Sequence, residues 1–322
     1  MIDRLDAYQR DHRWAGFPLA VVYKFLDDQG GYLAALLAYY GFLSLFPLLL
    51  LLVTILGFVL ANDPHLQAQV LGSTLAQFPI IGDQLRSNVG TLKGSTPALV
   101  VGVLGSLYGA IGIAQAGQNA MNAIWGVPRH RRLNPIRSRV RSLRVVAVLG
   151  AGTVATTVLS GLFTSGGAFG KDLGTVGTLA AVFVSLAGNA LLFLGIFRFL
   201  TARHVHLREL WPGALAASVA WQVLQAVGSL LVAHQVKRAS EVYGLFAIVL
   251  GLLGWLYLAA FTTLICAEVN AVHCRRLWPR SLLTPFTDDV VLTRADELAY
   301  TSLATTQQAK GFEKIEVSFE DR

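Results

Sequence analysis

Hydrophobic residues in this chain come in long uninterrupted runs, not in the alternation of a half-buried strand. One run shows the pattern clearly. From Tyr243 to Val272 it reads YGLFAIVLGLLGWLYLAAFTTLICAEVNAV, with no charged residue between Glu241 and Glu268. A bilayer core needs about 20 apolar residues at about 1.5 Å each. Five further runs of this kind predict spans at about Tyr32–Leu60, Ala98–Trp125, Val145–Phe163, Val176–Leu200 and from Trp211 onward. The pattern therefore predicts an all-α, polytopic membrane protein with six transmembrane helices. Pro47 falls inside the first span, where it frees the carbonyl of Leu43 and predicts a kink, with Ser44 placed to help satisfy the disturbed backbone. Pro212 falls near the start of the fifth, a place where proline is tolerated. Residues 61–96 are only mildly amphipathic and predict short helices on the outer face. The resulting division is a cytoplasmic or interfacial segment 1–31, a six-helix membrane domain 32–278, and a polar tail 279–322 expected to be disordered or loosely attached.

The polar positions inside these runs carry the next level of information. In the second span Gly102, Gly105, Gly109 and Gly112 share one face, a small-residue surface that lets another helix come close. Beside it Gln115, Gln118, Asn119 and Asn122 fall within one narrow arc at about 100° per residue. The fifth span has a second stripe, Ser218, Gln222, Gln225 and Ser229. Amides facing lipid without partners are costly, so both stripes should face protein or water. They are read either as a shared polar pathway, completed by Glu268 and Asn270, or as hydrogen bonds between helices, worth about 0.6 kcal/mol per pair.

Charge fixes the expected orientation. Only 14% of the 322 residues are charged and 54% are hydrophobic, against about 25% charged in an ordinary soluble domain. Seventeen Lys and Arg residues flank the spans on the side of both termini and five on the other, so both termini are expected in the cytoplasm. Seven of the seventeen, Arg129, Arg131, Arg132, Arg137, Arg139, Arg141 and Arg144, crowd the link before the third span with no acid among them. Such a cluster sets topology, and it also attracts anionic headgroups at about 1 kcal/mol per residue. Membrane lipids, anionic ones included, are therefore the expected partners. Nucleic acid is not, because no stacking aromatics or RNA-module motif accompany the arginines. Glu268 should sit near the inner interface, either as a proton-coupling carboxylate or as the ion-pair partner of a link arginine. No cofactor or metal is expected: His204 and His206 lack companion ligands, Cys266 and Cys274 lie about 12 Å apart along a helix, and no hydrolase motif is present. The N-terminus has no apolar core like that of a cleavable signal.

Four stretches in order resemble the YihY/BrkB family of bacterial inner-membrane proteins. They are AALLAYYGFLSLFPLLL, MNAIWGVPRHRR, WPGALAASVAW and YGLFAIVLGLLGWLYLAAFTTLICAEVNA, covering roughly residues 20–280. The matching motif positions are Tyr39, Ser44, Pro47, Trp255, Tyr257, Glu268 and Asn270. Cys266 departs from the pattern, standing where the family has glycine before Ala-Glu and putting tight packing there in question. The resemblance implies six transmembrane helices and a role in the cell envelope, with lipid transport the leading expectation and a non-transporting scaffold the alternative. A ribonuclease label attached to some members fits badly with the missing acid cluster. The chain is accordingly not expected to be an enzyme.

Overall fold

The computed structural model describes residues 2–59, 96–164, 174–203, 205–235 and 244–320. Among these residues every regular element is helical. Two short helices, α1 (Ile2–Asp11) and α2 (Arg13–Asp27), lead into six long ones: α3 (Gly30–Val59), α4 (Thr96–Ile124), α5 (Pro135–Thr164), α6 (Gly174–Leu200), α7 (Leu207–Gln235) and α8 (Gly244–Arg275). A 3-10 turn at Arg129–Arg131 and a last helix, α9 (Arg294–Thr306), complete the order. The long helices have 27 to 32 residues, or about 40–48 Å of rise. Among the described residues three stretches are long and apolar enough to cross a membrane: Val100–Ile124 on α4, Val182–Leu200 on α6 and Val249–Arg275 on α8. The short helices expected at 61–96, His204, the glycine-rich turn after the third span and the Lys237–Arg238–Glu241 loop lie outside the described residues.

The described core gathers at one end of the bundle. It joins Ala34 near the start of α3, Met121 and Ile124 at the end of α4, Val145 early in α5, Phe197 at the end of α6, Leu210 at the start of α7 and Ala271 at the end of α8. Starts and ends alternate at this one end, so successive long helices run antiparallel. α1, α2 and α9 pack at the same end, which places both ends of the chain on one side of the bundle.

Local chemistry explains where the helices begin and stop. α4 ends in a Schellman turn: Val127 N–H donates to Asn122 O and Gly126 N–H to Ala123 O, both at 2.8 Å, with Gly126 at φ +58°. A side chain at Gly126 would also strike Ser302 Oγ at 2.5 Å. α5 starts ten residues before the expected Val145, because Asn134 caps it, accepting from Arg137 N–H at 3.1 Å, and Pro135 fits the first helical position. Four of the seven arginines thus stand on the first turns of a helix and not in a loop. α7 starts at Leu207, so Pro212 lies inside the helix instead of in its first turn.

α3 and α4 approach each other closely. A Cβ on Gly105 would lie 2.8 Å from the Pro47 ring, one on Gly109 2.6 Å from Ser44 Cα, and one on Gly112 2.4 Å from the Tyr40 ring. The expected glycine face of α4 therefore seats α3, using van der Waals contact where lipid offers no hydrophobic drive. Ser44 acts differently from expectation. Its hydroxyl donates to Gly41 O at 2.9 Å, one turn back, and not to the Leu43 carbonyl that Pro47 frees.

Residues 279–306, within the tail expected to be disordered or loosely attached, pack against the bundle. Arg280, 1% exposed, donates to Asp27 Oδ2 at 2.6 Å and to Asp296 Oδ1 at 2.7 Å. Its guanidinium sits between the Tyr23 and Tyr300 rings, 5.8 and 5.4 Å from their centroids. Burial works against its charge, but Asp27 and Asp296 outweigh that and raise its pKa above the ordinary arginine value. Asp296 also closes a capping box with Thr293 at the start of α9 and accepts from Ser281 N–H at 2.9 Å. From the other side, Asp6 accepts from Leu282 N–H at 2.7 Å, and Tyr23 donates to Leu282 O at 2.6 Å. Composition alone misled here, because a buried ion pair is invisible in a count of polar residues.

Two outcomes follow from this packing. Gly109→Ala should lower thermal stability in detergent by about 1–3 kcal/mol, since Ser44 backbone cannot yield, while Gly150→Ala, with nothing within 4 Å, should be neutral or slightly stabilising. Arg280→Met leaves the buried Asp296 without its counter-ion, a loss of about 3 kcal/mol; limited trypsin digestion should then cut at Arg294 in the variant and spare the parent.

Candidate functional site

The predicted site residues fall into three groups around the end of the bundle where the core lies. The first centres on α8. Glu268 and Asn270 are both fully buried. The nearest cation to Glu268 is Lys24 of α2, with Nζ 3.7 Å from Oε2. Lys24 is itself 3% exposed, pairs with Asp28 and reaches Ile124 O at 3.3 Å. Glu268 was expected near the inner interface, as a proton-coupling carboxylate or beside a link arginine. It lies seven residues before the end of α8, buried between α8 and α2, and the cation it meets is Lys24 and not a link arginine. Lys24 had stood out in the sequence only as a topology charge. The signal that could have flagged it was its spacing of four from Asp28 on a helix, a pair that neutralises itself well enough to be buried.

Asn270 does a structural job. Its Oδ1 accepts from the backbone N–H of Gly213 at 2.6 Å, next to Pro212 in α7. A Cβ on Gly213 would lie 2.3 Å from Cys266 O. The close approach that Cys266 put in question is therefore present, with the bare backbone supplied by α7 at Gly213.

The second group is the two stripes. On α4, Gln118 exchanges hydrogen bonds with α5, donating to Ser142 Oγ and accepting from Ser138 Oγ, both at 2.9 Å. Asn119 accepts from Arg132 at 3.1 Å, and Asn122 accepts from Ala202 N–H at 3.0 Å, after the end of α6. Gln115 is half-buried. On α7, Ser218 donates to Leu215 O in its own helix at 2.9 Å, and Gln222 donates to Ser185 Oγ of α6 at 3.0 Å. Gln225 is half-buried, and the Ser229 side chain lies outside the described residues. The hydrogen bonds of the two stripes thus go to different neighbours and not to each other. Their partners, Ser138, Ser142 and Ser185, carry no signal in sequence, since serine is common on helices that face either way.

The third group is the arginines. Arg132 reaches Val127 O at 3.1 Å as well as Asn119; burial, with a smaller push from Arg129, lowers its pKa below the usual arginine value. Arg141 donates to Phe199 O at 2.8 Å and Thr201 O at 2.6 Å, satisfying carbonyls that α6 leaves open at its C-terminus. Arg129, Arg131, Arg137, Arg139 and Arg144 are exposed. Among the described residues no three His, Cys, Asp or Glu side chains are grouped to hold a metal ion.

The Lys24–Glu268 contact has a direct check. Lys24→Met and Glu268→Gln should each lower the yield of monodisperse protein and its melting temperature, the lysine change by about 3 kcal/mol. The double variant should lose less than the two losses together, because Lys24→Met strands the buried Glu268 charge and Gln at 268 removes it, whereas Glu268→Gln alone leaves Lys24 paired with Asp28. Additive losses would show that the two side chains act separately.

The arrangement can now be set beside known proteins. The chain is similar to the inner membrane protein YhjD of Escherichia coli (strain K12), 25% identical over 265 residues, or 76% of this chain and 77% of the relative. An uncharacterised protein of Dickeya dadantii (strain 3937) is 28% identical over 266 residues, covering 76% and 79% of the two chains. A UPF0761 membrane protein of Psychrobacter sp. (strain PRwf-1) is 25% identical over 274 residues, 81% of this chain but 48% of that longer protein. A protein named ribonuclease-like, YfkH of Bacillus subtilis (strain 168), is 25% identical over 268 residues, 76% of this chain and 91% of the relative. No solved structure matches. The family profile described as virulence factor BrkB matches residues 21–303, from α2 into α9, so that it takes in Lys24, the arginine segment, Glu268 and the Arg280–Asp296 pair alike. With apolar helices long enough to cross a bilayer and relatives named as inner-membrane proteins, this chain belongs to the virulence factor BrkB family as a multi-pass inner-membrane protein.

Proposed function

We propose that this chain handles an anionic amphiphilic lipid of the envelope, moving it between the leaflets of the inner membrane. In this reading all six long helices cross the bilayer, and the end that carries both chain termini faces the cytoplasm, following the excess of positive charge there. One observation carries the reading. Five exposed arginines stand at that end beside exposed apolar side chains of α5, Ile136, Val140 and Leu143, and residues 127–164 contain no acid to neutralise them. A surface that is both cationic and apolar suits a molecule with an anionic head and a hydrocarbon body.

A second reading, a non-transporting scaffold for envelope machinery, draws on the stripes. Gln118, Asn122 and Gln222 spend hydrogen bonds on neighbouring helices, as a rigid structural bundle would. No arrangement among the described residues favours RNA cleavage.

Liposomes separate the two. Purified protein reconstituted at low density should speed the exchange of fluorescent phosphatidylglycerol between leaflets at least severalfold over protein-free vesicles. No acceleration with any anionic lipid would sink the transport reading and leave the scaffold.

A further inference from the structure

The seven arginines are not equivalent. Arg132 and Arg141 are committed to backbone carbonyls of their own chain. Two of the five exposed ones, Arg137 and Arg144, line a cleft of about 760 Å³ beside the first turns of α5 and the end of α6. They are seven residues apart, so they stand on one face about two turns and 10 Å from each other. Arg141 lies between them in sequence, but its guanidinium is tied to the α6 carbonyls and so holds the cleft wall. The rest of the lining is apolar and largely open. Ile136 is 75% exposed, and Val140, Val148 and Phe199 are exposed as well.

Resting on the lipid-handling reading above, we infer that this cleft is the headgroup site, and that it takes one anionic glycerophospholipid with its phosphate between Arg137 and Arg144 and its hydrocarbon along Val140 and Val148. Three observations choose that occupant. The site has two uncommitted cations and no acid anywhere in 127–164, so a zwitterionic head gains less than an anionic one. The positive end of the α5 dipole adds to the same field. The apolar floor continues along the 30-residue α5, which in the reading above crosses the bilayer and so has hydrocarbon alongside. A soluble phosphate would leave that floor unused. The volume suits a headgroup and the first part of its chains, with the remainder lying in the bilayer.

The test uses the full-length protein in neutral detergent with a fluorescent short-chain phosphatidylglycerol, a phosphatidylcholine counterpart and glycerol phosphate as soluble competitor. The R137Q/R144Q variant should bind phosphatidylglycerol about tenfold more weakly or worse, whereas R129Q/R131Q should stay within about twofold of the parent. Both pairs are exposed, and size-exclusion profiles check that both fold. Val148→Gln, which leaves the arginines intact, should weaken binding several-fold. Equal weakening in the two arginine variants would mean a diffuse basic surface and overturn the site. Displacement by glycerol phosphate, or an unchanged affinity in Val148→Gln, would overturn the lipid as occupant. The liposome assay keeps the two levels apart. If R137Q/R144Q moves lipid at the parental rate, the cleft is wrong and transport stands. If the parent binds lipid through this cleft yet moves none, transport falls and the cleft stands.

Discussion

A charge taken out of water has to meet its opposite, and at one end of this bundle that requirement ties the chain together. Arg280 lies fully buried between Asp27 and Asp296, so the loop after α8 is held to α2 on one side and to α9 on the other. Lys24, a turn before Asp27, meets Asp28 and Glu268, which holds α2 against α8. The Arg280–Asp27 and Lys24–Glu268 contacts each span more than two hundred residues of sequence. Either pair left half-made would strand an ion in a medium of low dielectric, at several kcal/mol. The elements outside the long helices are therefore part of the folded unit and not appendages to it.

Along the long helices different physics applies. Between α3 and α4 the contact rests on missing side chains: Gly105, Gly109 and Gly112 let α3 approach until a single Cβ would collide. Gly213 repeats this between α7 and α8, with Asn270 fastening the backbone beside Pro212. Elsewhere amides and hydroxyls take over, and Gln118, Asn122 and Gln222 fasten α4 and α7 to their neighbours. Small residues give close contact where only dispersion is available, and polar side chains act where an unpaired group would be costly.

The arginine segment shows how one compositional feature divides into separate roles once folded. Two guanidiniums close off carbonyls, one at the α4 turn and one at the α6 end. The remaining five keep their charge at the surface, and two of these stand over apolar side chains. Membrane orientation needs only the total charge, whereas recognition of a lipid needs particular arginines beside particular apolar residues.

How much of this could be read from the sequence differs from feature to feature. The positions of all six long helices were legible within a few residues, apart from the start of α5, because apolar runs and helix breakers act locally. Even that start was written in Asn134-Pro135, a cap signal outweighed by the arginines behind it. The glycine face of α4 was legible because periodicity is a property of the helix itself. The family stretches were legible too, and two of them meet in space where Gly213 packs on Cys266 and Asn270. What sequence could not decide is partnership. Whether Glu268 meets an arginine or Lys24, whether Gln118 faces water or Ser142, and whether Arg280 is a topology charge or a buried hub each depend on which residues, far apart in the chain, arrive at the same place. Burial and pairing exist only between segments, so the chain by itself determined the helices, their period and their charge, and tertiary structure alone decided which of those charges is spent within the protein and which is left exposed.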